Sequence, residues 1–357
     1  MPPFSMMFAR PERTFGREKV VTQLLNAKKP VALVAFSKFG KSTVVKNLES
    51  EIDKDPKKCR LSIDFTFNPH FGSFKDDVGP VVDAVAEFGK RYNAEIWQPN
   101  GLFEAVEKTG EFARANGMGL MVVADEAIHA LKGEDRGEKI TRLLELQKKS
   151  RGISFVYTFH PWSYLKTINA EKEFAKQVEM APLGALDEND CGKMLSVLKD
   201  YGVKVDGGFV ATMMKLTGGL PYLITIVVEQ IFRAGLGGSL KRAGSLERAI
   251  KKASGGIMEA AVRYTRFNLD NMDILSKLAI LNVLAGQKVG RESLAGATIQ
   301  LAKAAGKMEP GMDEKTANYS IAILYGASFL KDNAIGIAEI NGLMLGEVCK
   351  FTYLRRH

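Results

Sequence analysis

One short segment constrains this chain more than any other: residues 35–42 read AFSKFGKS. The segment departs by one residue from the phosphate-binding pattern GxxxxGK[ST], because Ala35 stands where the pattern has its first glycine. An apolar run, VALVAF at 31–36, leads into it, and the helix-like segment 42–52 follows. A strand, a short loop and a helix in that order form the context that the pattern requires. The segment therefore predicts a loop that binds the phosphates of a nucleotide, and we refer to residues 35–42 as the phosphate loop.

Each part of the phosphate loop has a physical role. Backbone N–H groups and the N-terminus of the next helix form an anion cradle, Lys41 reaches the β and γ phosphates, and the hydroxyl of Ser42 is a ligand for Mg²⁺. The expected cofactors are ATP and Mg²⁺. Alanine resists positive φ, so slow hydrolysis is one expectation from Ala35. A chance GKS before a helix is the alternative. The expected nucleotide contacts here are Ala35, Phe36, Ser37, Lys38, Phe39, Gly40, Lys41, Ser42 and Thr43.

A second motif follows about eighty residues downstream, where 120–126 reads LMVVADE, an apolar strand that ends in two acids. In phosphate-loop enzymes the first acid, here Asp125, holds Mg²⁺ together with the loop hydroxyl. The second, Glu126, can orient or deprotonate the attacking water, so Glu126 and Lys41 are the expected catalytic residues. The alternative is that both acids cap the helix predicted to begin near Ala127.

A third set of polar residues follows the next predicted strand, ISFVYT at 153–158. Parallel strands deliver residues to the same carboxyl edge of a sheet. Thr158 or His160 could therefore hydrogen-bond the γ-phosphate or the attacking water. A capping threonine and a surface histidine are the equally weighted alternative.

The order of elements predicts an α/β fold with further modules. In the first half, short apolar runs alternate with helix-like segments, which is typical of a parallel sheet flanked by helices. After Pro182 the sequence turns helical, with a glycine break predicted around 254–256. Three predicted helices then precede Asn341-Gly342, a two-residue hairpin signal, and that order is typical of a winged helix. The predicted strands are 31–36, 61–67, 120–124 and 153–158; the predicted C-terminal helices are 272–285, 291–305 and 313–330; the predicted domains are a core at 1–183, a helical lid at 184–260 and a winged helix at 261–357.

Composition excludes several protein classes. The most apolar stretch, 220–232, is interrupted by Glu229 and Gln230, which predicts no membrane span. Neither a secretory leader nor paired metal-ligating cysteines or histidines are evident, so a cytoplasmic protein is expected. The net charge is +9. Such a charge favours polyanions without specifying a fold.

At this point the chain resembles the archaeal-type ATPases, a branch of the AAA+ and STAND-like P-loop ATPases that lies near the origin-recognition initiators. Besides the two motifs above, the likeness rests on FGRE at 15–18, TFH at 158–160 and LTGGLPYLI at 216–224, and it covers most of the chain. The resemblance implies that Arg17 lies near the base, that Pro221 opens a lid helix beside the base or phosphates, and that a winged helix ends the chain. Ala35 and His160 depart from the family pattern. A plain helix stop and start is the alternative for TGGLP.

Two functions follow from these expectations. The first is an ATP-driven switch, in which nucleotide closes the lid and the C-terminal module engages a protein or DNA partner. The second is a DNA-binding initiator-like or regulatory factor with nucleotide as a mainly structural ligand. Against DNA, the predicted recognition helix 313–330 has one lysine and two acids. A metabolic kinase ranks lowest, a homo-oligomer stays open, and none of Arg136, Arg142 and Arg151 is singled out as an arginine finger.

Overall fold

All four apolar runs predicted as strands form strands of one sheet. The computed structural model describes residues 15–36, 39–65, 78–127, 136–149, 152–170, 172–241, 245–335 and 337–353. The sheet has five strands in the order β2-β3-β4-β1-β5, with β1 parallel to β4 and β3 parallel to both β2 and β4. Their bounds are β1 Val31–Val34, β2 Lys58–Asp64, β3 Gly119–Asp125, β4 Ile153–Phe159 and β5 Glu179–Pro182.

Burial explains why these runs are so apolar. Every residue of β1 is buried, and so are five of the seven residues in β3, as expected for a parallel sheet covered on both faces. Helices supply that cover. In chain order they are α1 Glu18–Leu25, α2 Lys41–Asp53, α3 Val78–Tyr92, α4 Leu102–Ala115, α5 Arg136–Lys149, α6 Pro161–Ala170 and α7 Lys172–Gln177. The predicted α/β fold is confirmed.

The rest of the chain is mostly helical. The helices are α8 Glu188–Ser196, α9 Gly207–Thr217, α10 Pro221–Arg233, α11 Ser245–Asp270, α12 Ile274–Leu284, α13 Arg291–Ala304, α14 Glu314–Gly326 and α15 Leu343–Tyr353, with short 3₁₀ turns at Val197–Tyr201 and Gly237–Lys241. A two-stranded antiparallel hairpin, β6 Leu330–Asp332 and β7 Ala338–Ile340, lies between α14 and α15. Within the described ranges no single helix is long and apolar enough to cross a membrane; α9 and α10 pass that test of length and composition only as a pair bent by 113°.

The chain divides into two compact units. Among the described residues, the core unit comprises those within Arg17–Ala35 and Lys41–Ala181, and the C-terminal unit comprises Phe15, Gly16, Phe36, Phe39, Gly40 and those within Pro182–His357. The middle of the phosphate loop thus groups with the C-terminal unit, whereas the residues at its two ends group with the core unit. The three-domain division at 183 and 260 stays a prediction.

The predicted glycine break near 254–256 is wrong, because α11 is continuous from Ser245 to Asp270. Gly256 has a packing reason instead: a Cβ there would lie 3.0 Å from Oε1 of Gln230 on α10. Glycine leaves room for the end of the Gln230 side chain, and the helix tolerates it at a cost of about 1 kcal/mol relative to alanine. Gly256 therefore marks a close contact and not a turn, whereas a Cβ at Gly255 would meet open space.

The hairpin predicted at Asn341-Gly342 is also wrong. The turn lies between β6 and β7, where the amides of Ile335 and Ile337 donate to Oδ1 of Asn333. Gly342 has φ +82 and leads from β7 into α15. The side chain of Asn341 donates to the carbonyl oxygen of Gly218 at 2.9 Å, which links two segments far apart in the sequence. Asn341-Gly342 therefore serves a long-range contact and not a turn, although the local sequence is typical of a turn.

Candidate nucleotide-binding site

The phosphate loop runs from the end of β1 to the first turn of α2. Ala35 is fully buried, and its N–H donates to the carbonyl oxygen of Phe159 at 3.1 Å. It is not among the described non-glycine residues with positive φ, so the alanine fits this position without that backbone strain. Gly40, in contrast, has φ +92, a conformation that favours glycine. Ser37 and Lys38 lie outside the described residues.

Lys41 is the first residue of α2, and its side chain is only 8% exposed. Its Nζ donates to the carbonyl oxygen of Ala35 at 3.2 Å and lies 3.0 Å from Oε1 of Glu126. A buried ammonium needs such partners, because burial of an unpaired charge is costly. The structure thereby brings together the two residues predicted to be catalytic.

Asp125 ends β3, and Glu126 follows it in the left-handed region at φ +51. For a residue other than glycine this backbone is uncommon, and strained residues of this kind are enriched at functional sites. The Glu126 amide donates to Thr158 Oγ1 at 2.8 Å and to Asp125 Oδ1 at 3.1 Å. The Thr158 hydroxyl in turn donates to Asp125 Oδ1. These bonds hold the backbone of Glu126 in its unusual conformation.

The sheet order explains the position of Thr158. Strand β4 lies between β1 and β3, so the end of β4 reaches the edge at which the phosphate loop begins and the acid pair lies. Thr158 is fully buried and bonded to the acid pair, which excludes the simple capping role. His160 is half-buried, with its ring centroid 6.4 Å from that of Trp162. Thr158 contacts both predicted acids, through the Asp125 carboxylate and the Glu126 amide.

Burial raises the pKa of Asp125, and the negative charges of Glu126 and Asp64 add to that increase. The hydrogen bond from Thr158 and the positive charge of Lys41 act in the opposite direction. Asp64 ends β2 and pairs in register with Asp125 across the sheet. It is a site residue that the sequence analysis missed, although an acid inside the apolar run LSIDFTF was a usable signal.

The other predicted contacts are placed as follows. Ser42 and Thr43 lie in the first turn of α2, with Ser42 exposed. Arg17 is buried at the N-cap of α1. Pro221 is the first residue of α10, in the C-terminal unit, where Gly218 and Gly219 separate it from α9. The roles of Arg17 and Pro221 at the nucleotide stay predictions.

The residues at this edge fit ATP with Mg²⁺. Lys41 offers an ammonium group to phosphates, and an ideal Cβ built at Gly40 meets no atom within 4 Å, so there is space beside the loop backbone. Among the described residues, no group of three His, Cys, Asp or Glu side chains could hold a metal ion. Mg²⁺ in nucleotide sites commonly takes one or two protein oxygens and completes its shell with phosphates and water. Asp125 and Ser42 are suitable donors of that kind.

Comparisons with known proteins bear on the fold of the chain. No protein-family model matches the sequence, and no curated protein matches it either. Among solved structures, a Walker-type ATPase of Pyrococcus abyssi is similar with a TM-score of 0.59 at 14% identity, over 96% of this chain and 97% of that chain. The ORC2 protein of Aeropyrum pernix, in ADPNP and ADP complexes, gives 0.49 at 11% identity over 95% and 93%. Cdc6p of Pyrobaculum aerophilum gives 0.46 at 13% identity over 98% and 97%.

The first of these likenesses extends over nearly the full length of both chains, and it confirms the expected resemblance at the level of fold. Fold alone does not fix an activity, which depends on the site. The chain has the fold of an archaeal Walker-type ATPase.

Proposed function

We propose that the protein binds ATP at the phosphate loop and hydrolyses it. The observation that carries this proposal is the contact between Lys41 Nζ and Glu126 Oε1 at 3.0 Å. It brings the lysine of a near-complete phosphate-binding motif into contact with an acid that follows β3, two strands away from β1 in the sheet. Asp125 and Thr158 complete the polar edge.

Each side chain has a task in this proposal. The ammonium of Lys41 exchanges its Glu126 partner for phosphate oxygens, and the carboxylate released from that ion pair accepts a proton from the attacking water. Thr158 keeps the backbone of Glu126 fixed through its bond to the amide. Asp125 and Ser42 hold the metal ion, which supplies positive charge to the phosphates when bound.

The test is ATP binding and turnover with Mg²⁺ for the wild type and Lys41→Ala. The matched control is Lys46→Ala, because Lys46 is an exposed lysine on the same helix. ATP should raise the melting temperature of the wild type and of Lys46→Ala, by mass action worth about 2.7 kcal/mol at a hundredfold excess over Kd. It should not raise that of Lys41→Ala. Equal stabilisation of all three proteins would show that nucleotide binds elsewhere.

We further propose that this activity operates a switch. Residues 184–260 would form the lid and residues 261–357 a winged helix, which the order of α12, α13, α14 and the β6–β7 hairpin supports. Binding of ATP would then change the state of the C-terminal unit and its affinity for a partner. The corresponding measurement is protease sensitivity of the full chain with ATP, with ADP and with neither. An identical cleavage pattern in all three states would refute the switch.

A DNA-binding role is the second candidate, and one observation favours it. Side chains of α13 and α14 line a surface concavity of about 550 Å³ that includes Arg291, Lys315 and Asn318 together with the acidic Glu314. Duplex DNA binding measured against salt concentration tests this role. Lys315→Ala should lower the salt slope by about one unit, whereas Lys303→Ala, at an exposed lysine outside the concavity, should not. If the protein binds no duplex DNA at low salt, we would instead assign this surface to a protein partner.

A further inference from the structure

Phosphate binding does not explain the packing of two side chains in the phosphate loop. Phe36 and Phe39 are both fully buried. Loop residues generally lie at the surface, so complete burial of two phenylalanines in six residues of loop needs a reason. Since a phosphate cradle uses backbone N–H groups, the side chains of such a loop are free to serve another purpose.

Both rings pack in an aromatic cluster within the C-terminal unit. The ring centroids of Phe36 and Phe329 are 4.4 Å apart, and those of Phe39 and Tyr222 are 5.4 Å apart. Phe39 also stacks on Phe329, with centroids 6.2 Å apart and planes 14° apart, and the two loop rings lie 5.6 Å from each other. These distances are in the favourable range for aromatic pairs. We name Phe36, Phe39, Tyr222 and Phe329 the loop-anchoring cluster.

The two rings outside the loop are themselves held firmly. Tyr222, the second residue of α10, shares a hydrogen bond of 3.1 Å between its hydroxyl and that of Thr265 on α11. Phe329 donates its N–H to the carbonyl oxygen of Leu324 at 2.8 Å and accepts one from the amide of Asn341 at 3.0 Å. Because these hydrogen bonds hold Tyr222 and Phe329 in place, the two residues can in turn hold the rings of the loop in place.

One polar side chain connects the supports of this cluster. Asn341, which is only 7% exposed, donates to the carbonyl oxygens of both Gly218 and Ser328, at 2.9 and 3.0 Å. Gly218 precedes Tyr222 by four residues, and Ser328 precedes Phe329. A buried amide with two acceptors is costly to break, because each carbonyl would lose its partner. The positions of Tyr222 and Phe329 are therefore coupled.

We propose that Phe329 and Tyr222 are positioning residues for the nucleotide: through Phe36 and Phe39 they hold the phosphate loop in its binding conformation. This inference rests on the proposed function, since it assumes that the loop binds ATP. If only a fraction of molecules has the competent loop, the apparent Kd rises by the reciprocal of that fraction. Loosening the anchor thus weakens ATP binding although neither residue belongs to the motif.

The experiment compares two phenylalanine-to-leucine variants of the full chain by titration with ATP and Mg²⁺. Phe329→Leu removes a ring of the cluster. The matched control, Phe209→Leu, removes a buried ring of α9 in the same unit that makes no ring contact with the cluster among the described residues. We expect Phe329→Leu to raise the Kd for ATP about tenfold, as for a competent fraction of one tenth. Phe209→Leu should stay within about twofold of the wild type.

Equal Kd values for the two variants would overturn the inference while leaving the proposed function intact. A wild type that binds no ATP would instead refute the proposed function and the inference with it. Should Phe329→Leu fail to fold, hydrogen exchange of the wild type decides the matter, since coupling between two sites is reciprocal. ATP should slow exchange at the amides of Leu324 to Leu330 about tenfold more than at those of α13. An equal change in both segments would contradict the coupling.

Discussion

The ends and the middle of the phosphate loop are held in place by different forces. Its ends contact a polar edge, where Lys41 bonds to Ala35 and Glu126. Its middle packs in an apolar cluster, where Phe36 and Phe39 lie among rings. Polar contacts at the edge can be exchanged for phosphate at little cost, whereas a packed ring loses its contacts outright when it moves. In the proposed function, the ends of the loop therefore supply the chemistry, and its middle fixes the position of the loop.

Glu126→Gln tests the polar side and has the largest expected effect. The amide keeps the size of the side chain and cannot accept a proton, so turnover should fall about 100- to 10,000-fold while ATP still binds. The control Glu111→Gln, at an exposed glutamate on α4, should leave turnover unchanged. Steady-state hydrolysis and equilibrium ATP binding measure the two quantities. Wild-type turnover in Glu126→Gln would assign the base to another residue.

Gly342→Ala tests the supports of the apolar side. A Cβ at Gly342 would lie 2.5 Å from the amide nitrogen of Gly218, and the backbone has φ +82. We expect a loss of about 1–3 kcal/mol in the free energy of unfolding, measured by denaturant titration. Gly346→Ala is the control, because Gly346 lies in α15 with open space around its Cβ position. There alanine should be neutral or stabilise by up to about 1 kcal/mol; similar losses for both would contradict the close approach.

Thr158→Val has a smaller expected effect on stability and a distinct pH signature. Valine has the same shape and removes the hydroxyl that bonds to Asp125, a loss of about 1 kcal/mol. That hydrogen bond lowers the pKa of Asp125, so its removal raises the pKa further. A higher pKa means that ionised Asp125 needs a higher pH, and the acidic limb of the turnover profile should move upward. Thr158→Ser should restore the profile, and an unmoved limb in Thr158→Val would exclude Asp125 as its source.

Ala35→Gly has the smallest expected effect. Ala35 does not have positive φ, and it is fully buried. Glycine should therefore bring no gain in turnover and lower the free energy of unfolding by about 0.5–1 kcal/mol through its greater freedom in the unfolded chain. Hydrolysis rates and thermal melts of both proteins check this expectation. A several-fold gain in turnover would show that alanine limits closure of the loop around phosphate.

The sequence predicted those parts of the molecule that local pattern controls. The runs VALVAF and LMVVA are apolar because both faces of the sheet are covered, and Gly40 of FGKS directly precedes α2, which begins at Lys41. From those positions the contact between Lys41 and Glu126 follows, because parallel strands end at a common edge. Strand β5 was missed, since EMAP is short and only one of its four residues is buried. Its amide at Glu179 bonds to Pro30, a partner remote in sequence.

What could not be predicted depends on long-range contacts. Asn341-Gly342 resembles a turn, yet Asn341 bonds to Gly218 and Ser328. Gly256 resembles a helix break, yet it serves the approach to Gln230. Phe36 and Phe39 were assigned to nucleotide contact by their place in the motif, and their packing against Phe329 has no signature near residues 35–42. A residue type alone does not reveal which distant partner it meets.

The close approach of Gly218 and Gly342 has an evolutionary consequence. Because a Cβ at Gly342 would lie 2.5 Å from the backbone of Gly218, a side chain can enter position 342 only if the turn at 217–219 moves as well. That turn leads directly into Pro221 and Tyr222. Substitution at 342 should therefore appear in related sequences together with changes in the TGG segment. Positions 218 and 342 are more than a hundred residues apart, and we expect them to change together. Where only one of them has changed, the packing between the two segments must have been rearranged.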